Sequence, residues 1–324
     1  MSVFPARGDV SVNATSDTNV LKAALHATNM TITAVTIANG MDGQIGVYTD
    51  FTNPPITIAD GIVLSSGQAN LVGPPVDPDL AGPEPNWDMW GSGTPEFDAY
   101  GPDHIENFDY SCDVAALQVN FHLETNSPIK FDFIFGSVEY PSYTGDFTDA
   151  LLVFLDGTDP TNQIAFDKNH QPVQVGNSFA GLVAIGDRNT AFASPHGMLL
   201  KLTTTSAQLA PGDHTLIFEV GDVNDPILDS AVFIANLRAE PGDEGTQPAE
   251  PSPSLIVQEH DRRNGTNSLS LTWRDVGVES VLEQSPDLLG NWTEIDIPWS
   301  TNGVWMQTTV ESTNATEFFR LRRR

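Results

Sequence analysis

The sequence predicts an all-β protein: a large jelly-roll-like β-sandwich with one N-terminal helix, followed by a small C-terminal β-sandwich or barrel domain. Three observations lead there. Short runs of alternating or continuous apolar residues, rich in Val, Ile, Thr and Phe, recur along the chain between clusters of Gly, Pro, Asn and Asp, the pattern of strands and turns. Only one segment carries clear helical spacing. The stretch AEPGDEGTQPAEPSPS at 239–254 has no apolar periodicity and reads as a linker. The expected organisation is therefore a sandwich over 1–238, a linker over 239–254 and a second domain over 255–324.

The helix is SDTNVLKAALHA (16–27). Ser16 or Asp17 can cap it, and Val20, Leu21, Ala24 and Leu25 fall on one face. Strands follow. MTITAVTIA (30–38) is β-branched and alternating, and GIVLSSG (61–67) is bounded by glycines. VAALQVNFHLE (114–124) alternates, and KFDFIFGS (130–137) sets Phe131, Phe133 and Phe135 on one face. ALLVFLD (150–156) is apolar throughout, as a central strand should be. SFAGLVAIGD, GMLLKLTTTSAQL, HTLIFEVGD and DSAVFIANLRA complete the set. In the second domain SLSLTW, SVLEQSPDLLGNWTEI, VWMQTTV and TEFFRLRRR read as strands and turns, with Trp273, Trp292, Trp299 and Trp305 as the expected core.

Residues 73–113 have almost no periodic signal. A loop of that length inside a compact domain is unusual and often functional. Trp87 and Trp90, in NWDMWGSG, either form a stacking platform for a sugar ligand or cover one end of the sandwich as a local mini-core, the latter being the preferred reading.

Charge narrows the function. The chain carries 43 acidic and 14 basic residues, net −29. Residues 255–324 hold 10 acids and 7 bases, so the acidity belongs to the first domain. Nucleic-acid binding, which needs Lys and Arg stripes, is excluded. No apolar run is long enough for a transmembrane helix. MSVFPARGDV does not read as a signal peptide, so an exported form would be expected to carry its leader ahead of a trimmed start. The single cysteine, Cys112, rules out an internal disulfide framework. Its neighbours in DYSCDV are acidic, which argues for a protonated, structural thiol rather than a nucleophile. The His residues fall in no zinc-hydrolase spacing and there is no nucleophile elbow, so no catalytic residues are assigned.

The acidic residues are the remaining signal. Glu139, Asp146, Asp149 and Asp156 sit beside two apolar strands; VDPDL adds Asp77 and Asp79; GDVNDPILDSAVF adds Asp222, Asn224, Asp225 and Asp229. Three readings stand side by side. Asp is favoured in turns for its local hydrogen bonds. Calcium takes six to eight oxygens from such residues. Glu139 and Asp149 could also form an acid–base pair. Carboxylates clustered at one pole repel one another, and a bound cation relieves that. Asp79, Glu139, Asp149, Asp222, Asp225 and Asp229 are the expected calcium ligands, some of the turns being co-opted to hold the ion.

The ordered blocks GIVLSSGQANLVGPP, DPDL, FDFIFGSVEYPSY, FTDALLVFLDG and DVNDPILDSAVFIANL together resemble the bacterial choice-of-anchor L domain, over roughly residues 10–238. Its S-E-E-Y block stands here as Ser137-Val138-Glu139-Tyr140, one acid being replaced by Val138, and its F-N-D block as Phe147-Thr148-Asp149. The resemblance implies a secreted or surface-displayed β module joined to varied C-terminal anchors, with no established enzymatic activity. LTW, VLEQSPDLLGNW and FFRLRRR are similar to the small β domain that ends many secreted proteins of Verrucomicrobia-like and Planctomycetes-like bacteria, which implies sorting or attachment. The resulting expectation is an extracellular or cell-surface, calcium-stabilised protein acting in adhesion or matrix assembly, with matrix, polysaccharide or its own copies as partners. Two alternatives stay open: a filament subunit adding an N-terminal strand to a neighbour's sheet, and a carbohydrate-binding or carbohydrate-active module.

Overall fold

The computed structural model describes residues 10–52, 57–74, 85–144, 147–182, 184–186 and 189–242, and in the C-terminal part 256–263, 266–274, 280–286, 292–295, 300–302, 305–312 and 318–323. The chain divides into two compact units, Met1–Glu250 and Pro251–Arg324.

In the first unit the elements are β1 (Ser11–Ala14), α1 (Thr18–Ala24), β2 (Thr31–Asn39), β3 (Ile45–Phe51), β4 (Ala59–Ser65), α2 (Pro95–His104), β5 (Ser111–Leu123), β6 (Ile129–Ser137), β7 (Ala150–Leu155), β8 (Val173–Gln174), α3 (Asn177–Gly181), β9 (Ala184–Ile185), β10 (Gly197–Leu199), β11 (Leu202–Thr205), β12 (Gly212–Val223) and β13 (Ser230–Ala239). They form a two-sheet sandwich. One sheet runs β1-β3-β4-β13-β6-β10-β9, with β11 also on β6; the other runs β2-β5-β12-β7-β8. All the strand pairings are antiparallel.

Period-two alternation decides what fills the space between the sheets. Phe131, Phe133 and Phe135 of β6 face Leu216, Phe218 and Val220 of β12 and Leu151, Val153 and Leu155 of β7 in one core cluster. As expected from its composition, β7 is buried along its whole length. A second cluster, with Tyr48, Phe51, Ile134, Phe192 and Phe233, covers the outer face of the first sheet. Burying side chains of this size contributes about 1.5–3 kcal/mol each.

Three details differ from the sequence expectation. α1 is capped by Asp17, whose carboxylate accepts the Asn19 amide at 2.9 Å; Leu21 and, at its C-cap, Leu25 are buried and Ala24 packs against the same core, but Val20 is 41% exposed. The segment 73–113 contains α2. Thr94 caps it by accepting the Phe97 amide at 3.2 Å, and Pro95 opens it, a combination that suits a helix start. Phe97 and Tyr100 press it onto the outer face of the second sheet against Val114, Leu152 and Phe154. SFAGLVAIGD is not one strand but the short helix α3 followed by β9, and GMLLKLTTTSAQL breaks into β10 and β11.

Of the N-terminal arm, residues 1–9 lie outside the described residues, while Ser11–Ala14 pair with β3 of the same chain, from Ser11 opposite Thr49 to Ala14 opposite Gly46. β13 runs through Ala239, and most of 239–254 falls outside the described residues.

The second unit has two antiparallel sheets. β14 (Ile256–Arg263), β15 (Thr266–Arg274), β18 (Ser300–Asn302) and β19 (Trp305–Ser312) form one, in the order β14-β15-β19-β18. β16 (Ser280–Ser285), β17 (Thr293–Glu294) and β20 (Phe318–Arg323) form the other, in the order β17-β16-β20. Its described core is Leu271, Leu282 and Val310, with Ile295 and Phe319 against them. Trp292 is half-buried; Trp299 and the side chains of Trp273 and Trp305 lie outside the described residues.

Candidate functional site: a sealed carboxylate pole

The strand registers place the expected acids. In the first sheet Leu64, Val232 and Phe135 lie side by side on the inner face; in the second, Val220 and Leu151 do. One step further along each strand, the inner face turns polar. Ser230 pairs with Ser137 of β6, and its amide donates to Ser66 Oγ at 3.0 Å. Continuing the β12–β7 ladder past Gly221 and Ala150 brings Asp222 opposite Asp149. The two rows meet where Ser230 Oγ donates to Asp149 Oδ2 at 2.6 Å. Glu139 follows Ser137 on the inward parity of β6. Its amide donates to Ser137 Oγ at 3.0 Å. Val138 faces the other way, into the outer apolar cluster, so the acid this chain lacks would point away from the pole.

Glu139, Asp149, Asp222 and Asp229 are all essentially sealed from solvent, at 0–1% exposure. Asp149 is well served: besides Ser230 it accepts the Val223 amide at 3.2 Å. No hydrogen bond of good geometry reaches either oxygen of Glu139 or of Asp222, although the Asp149 amide lies near Glu139, and the Ser66 hydroxyl and the Asp149 carboxyl lie near Asp222. Burial, reinforced by the Asp149 charge, pushes Glu139 far above the usual carboxylate range. Burial does the same to Asp222, with Asp149 and Asp229 adding repulsion and the nearby Ser66 hydroxyl pulling weakly the other way. Asp149 is also raised by burial, against the pull of Ser230 and Val223. None of the ion pairs among the described residues involves this group.

The other expected ligands sit differently. Asp225 is half-buried and accepts the Ile227 amide at 3.1 Å, as a turn aspartate does. Asp229 turns away from the inner row and accepts the Trp87 amide with both oxygens at 3.3 Å; burial holds its proton up to about 7. A Cβ at Gly67 would lie 1.8 Å from Asp229 Oδ2, so that glycine makes the room. Asp77, Asp79 and Asp146 lie outside the described residues. Asp156 is at the far end of β7, where it accepts the Thr215 amide at 2.9 Å and faces His214 at 2.7 Å; about 3.3 Å per residue separates it by the length of a strand from Asp149. Among the described residues, no group of three or more His, Cys, Asp or Glu side chains is arranged to hold a metal ion. The pole is thus a buried chain of carboxylates rather than a finished cage. An acid–base pair must also touch its substrate, and Glu139 and Asp149 at 0% and 1% exposure do not.

Two neighbours complete the pole. Cys112 donates its thiol to the Asp225 carbonyl at 3.1 Å, and burial with the surrounding carboxylates pushes it up to about 12, so it stays protonated. Asp113, in the left-handed region at φ 48°, turns its carboxylate to the loop at 85–93. It accepts the Met89 amide at 2.8 Å and the Gly91 amide. With Asp229 holding Trp87, carboxylates grip the loop by its main chain, Pro85 and Met89 are buried, and its indoles point out: Trp87 is 53% and Trp90 86% exposed. They do not fill a mini-core, because the anchoring is done by amides rather than by the rings.

The sequence model described as "Choice-of-anchor L domain" matches residues 9–237, nearly all of the described sandwich, which ends with β13 at Ala239. The chain belongs to the choice-of-anchor L domain family. Membership makes it a bacterial surface or secreted β protein. In this choice-of-anchor L domain the carboxylate pole draws on blocks across the matched region, from Ser66 to Ser230. The match ends before the C-terminal unit. No curated protein matches the chain. No helix among the described residues is long and apolar enough to cross a membrane.

Proposed function

We propose that this chain works in adhesion or in assembly of the extracellular matrix, as a β module stabilised by calcium at the carboxylate pole. The observation that carries the calcium reading is the pair Glu139 and Asp222, fully buried with no well-formed hydrogen bond to any of their four oxygens. Leaving a buried polar group unsatisfied costs about 1–3 kcal/mol, and more if charged. Two escapes exist: protonation, or a cation. A hard dication wants oxygen ligands and tolerates irregular geometry. It would draw Glu139 toward the Asp149–Asp222 pair, with Ser66 and Ser230 beside them, and convert mutual repulsion into ligation. Asp225 and Asp229 would support the site from its rim, and Asp79 remains a candidate from outside the described residues. The C-terminal unit would serve attachment or sorting.

Calcium at 100 times its Kd would stabilise the fold by about 2.7 kcal/mol. For a domain of this size that is roughly 5–10 °C in Tm. Thermal melts with excess calcium and with excess chelator should differ by that much in the wild type, and Glu139→Gln should erase the difference. Identical wild-type melts in both buffers, together with no calcium in elemental analysis of undialysed protein, would sink the proposal.

A further inference from the structure

The loop at 85–93 has no role in the calcium reading beyond sharing its neighbours, yet it is built with care. Three carboxylates fix its main chain: Asp229 takes the Trp87 amide, Asp113 those of Met89 and Gly91, and Asp88 that of Trp90 at 2.7 Å. Trp90 is held in the left-handed region at φ 57°, where a bulky residue is uncommon. The outcome is two indoles presented to solvent on a fixed frame. Presenting large apolar rings to water without a use is unfavourable, and a preorganised frame lowers the ordering cost of binding. Further exposed apolar side chains stand on the adjoining loops: Met41, Tyr110 and Ile227. Tyr110 is tied to the Asn224 carbonyl through its hydroxyl, which connects those loops.

Charge says what such a surface would take. Among the described residues of this pole, the segments 40–44, 66–74, 85–93, 105–113, 138–144, 147–149 and 222–229 hold ten Asp and Glu and no Lys, Arg or His. Anionic partners are repelled by such a field and cationic ones are concentrated by it. An exposed indole is also the best ring for holding an ammonium group over its face. Indoles bordered by carboxylates suit a flat sugar ring that carries an amine: the ring stacks, and the amine meets the rings and the acids.

We propose that the Trp87–Trp90 loop is a recognition surface for a polysaccharide bearing free amino groups. This deepens, and rests on, the reading of the chain as an extracellular adhesive module. Retention of the full chain can be measured on immobilised poly-glucosamine, its fully N-acetylated form, a neutral glucan and polylysine. The wild type should be retained on poly-glucosamine at least ten-fold more strongly than on the acetylated polymer or the glucan. The Trp87→Ala/Trp90→Ala variant should lose that ten-fold at unchanged Tm, and Asp88→Asn should weaken retention and its dependence on salt. Equal retention of the double variant would overturn the proposal, since charge alone would then explain binding. So would equal retention of the wild type on the acetylated polymer, or Trp-dependent capture by polylysine as strong as by the sugar. Calcium uptake is read separately through Glu139→Gln, so failure of the metal site and failure of the sugar surface are distinguishable.

Discussion

At one end of the sandwich, Asp132 lies 3.7 Å from both Lys201 and Arg238, and Glu240 lies 2.6 Å from Lys130 and 3.0 Å from Arg238. At the other, Glu139, Asp149 and Asp222 are sealed between the sheets with serine hydroxyls and one another. The basic residues near Asp132 and Glu240 are 18–42% exposed, so these acids meet counter-charges that reach water, and such pairs contribute modestly to the fold. The sealed acids have no such freedom. Their desolvation is paid in full unless a proton or a cation meets it. The same residue type is ordinary surface chemistry at one end and a poised site at the other, and what separates the two is burial without a counter-charge.

Acidity tests the contrast most strongly. Glu219, on the outer face of the second sheet beneath α2, accepts the Thr94 hydroxyl at 2.9 Å, and burial pushes its pKa from 4.5 to about 8. Between those values the folded chain holds a proton that the unfolded chain has lost, so stability falls as pH rises. Its contribution is complete below about 4.5 and gone above about 8. At about 1.4 kcal/mol per unit this is several kcal/mol, and the raised Glu139, Asp149 and Asp222 act in the same direction. Chemical denaturation in chelator should therefore show stability declining from pH 5 to 9. Glu219→Gln, neutral at every pH, should remove part of the slope. A flat or rising profile in the wild type would mean that the burial argument is wrong at both sites.

A smaller effect sharpens the link between the pole and its loop. Gly67→Ala would drive a methyl group into the Asp229 carboxylate. Overpacking of this kind costs about 1–3 kcal/mol, and here it should also raise amide exchange at Trp87, whose N–H Asp229 accepts. Exchange at Trp87 unchanged at full destabilisation would separate the loop from Asp229. The least effect is expected at the far end: Lys130→Met should leave the melt close to that of the wild type, because Glu240 reaches solvent and keeps Arg238 at 3.0 Å. A loss as large as that of Gly67→Ala would erase the distinction between the two ends.

Much of the fold is legible in the sequence. The apolar runs point to β2, β4, β5, β6, β7, β12 and β13, and the inward row Phe131, Phe133, Phe135 lies in the core as its spacing requires; β3 (Ile45–Phe51) and β8 (Val173–Gln174) carry no such signal. Glu139, Asp149, Asp222, Asp225 and Asp229 do gather at one end. Other features were hidden for physical reasons. α2 carries Gly101 and Pro102 in its span and too few apolar residues for a periodic signal, although Thr94 and Pro95 mark its start. The serines at 66, 137 and 230 carry no local pattern that sets them apart; only the registers place them across from the acids. Nor does local sequence tell that Asp113 and Asp229 spend their oxygens on backbone amides, because their partners lie 24 and 142 residues away.

A grip on the main chain is indifferent to what the chain carries. Asp113 and Asp229 hold amides that any residue but proline would offer at Trp87 and Met89. The rings could be exchanged for other groups while the scaffold beneath keeps its shape. One frame could then display many different contact chemistries, much as a tool handle accepts interchangeable heads.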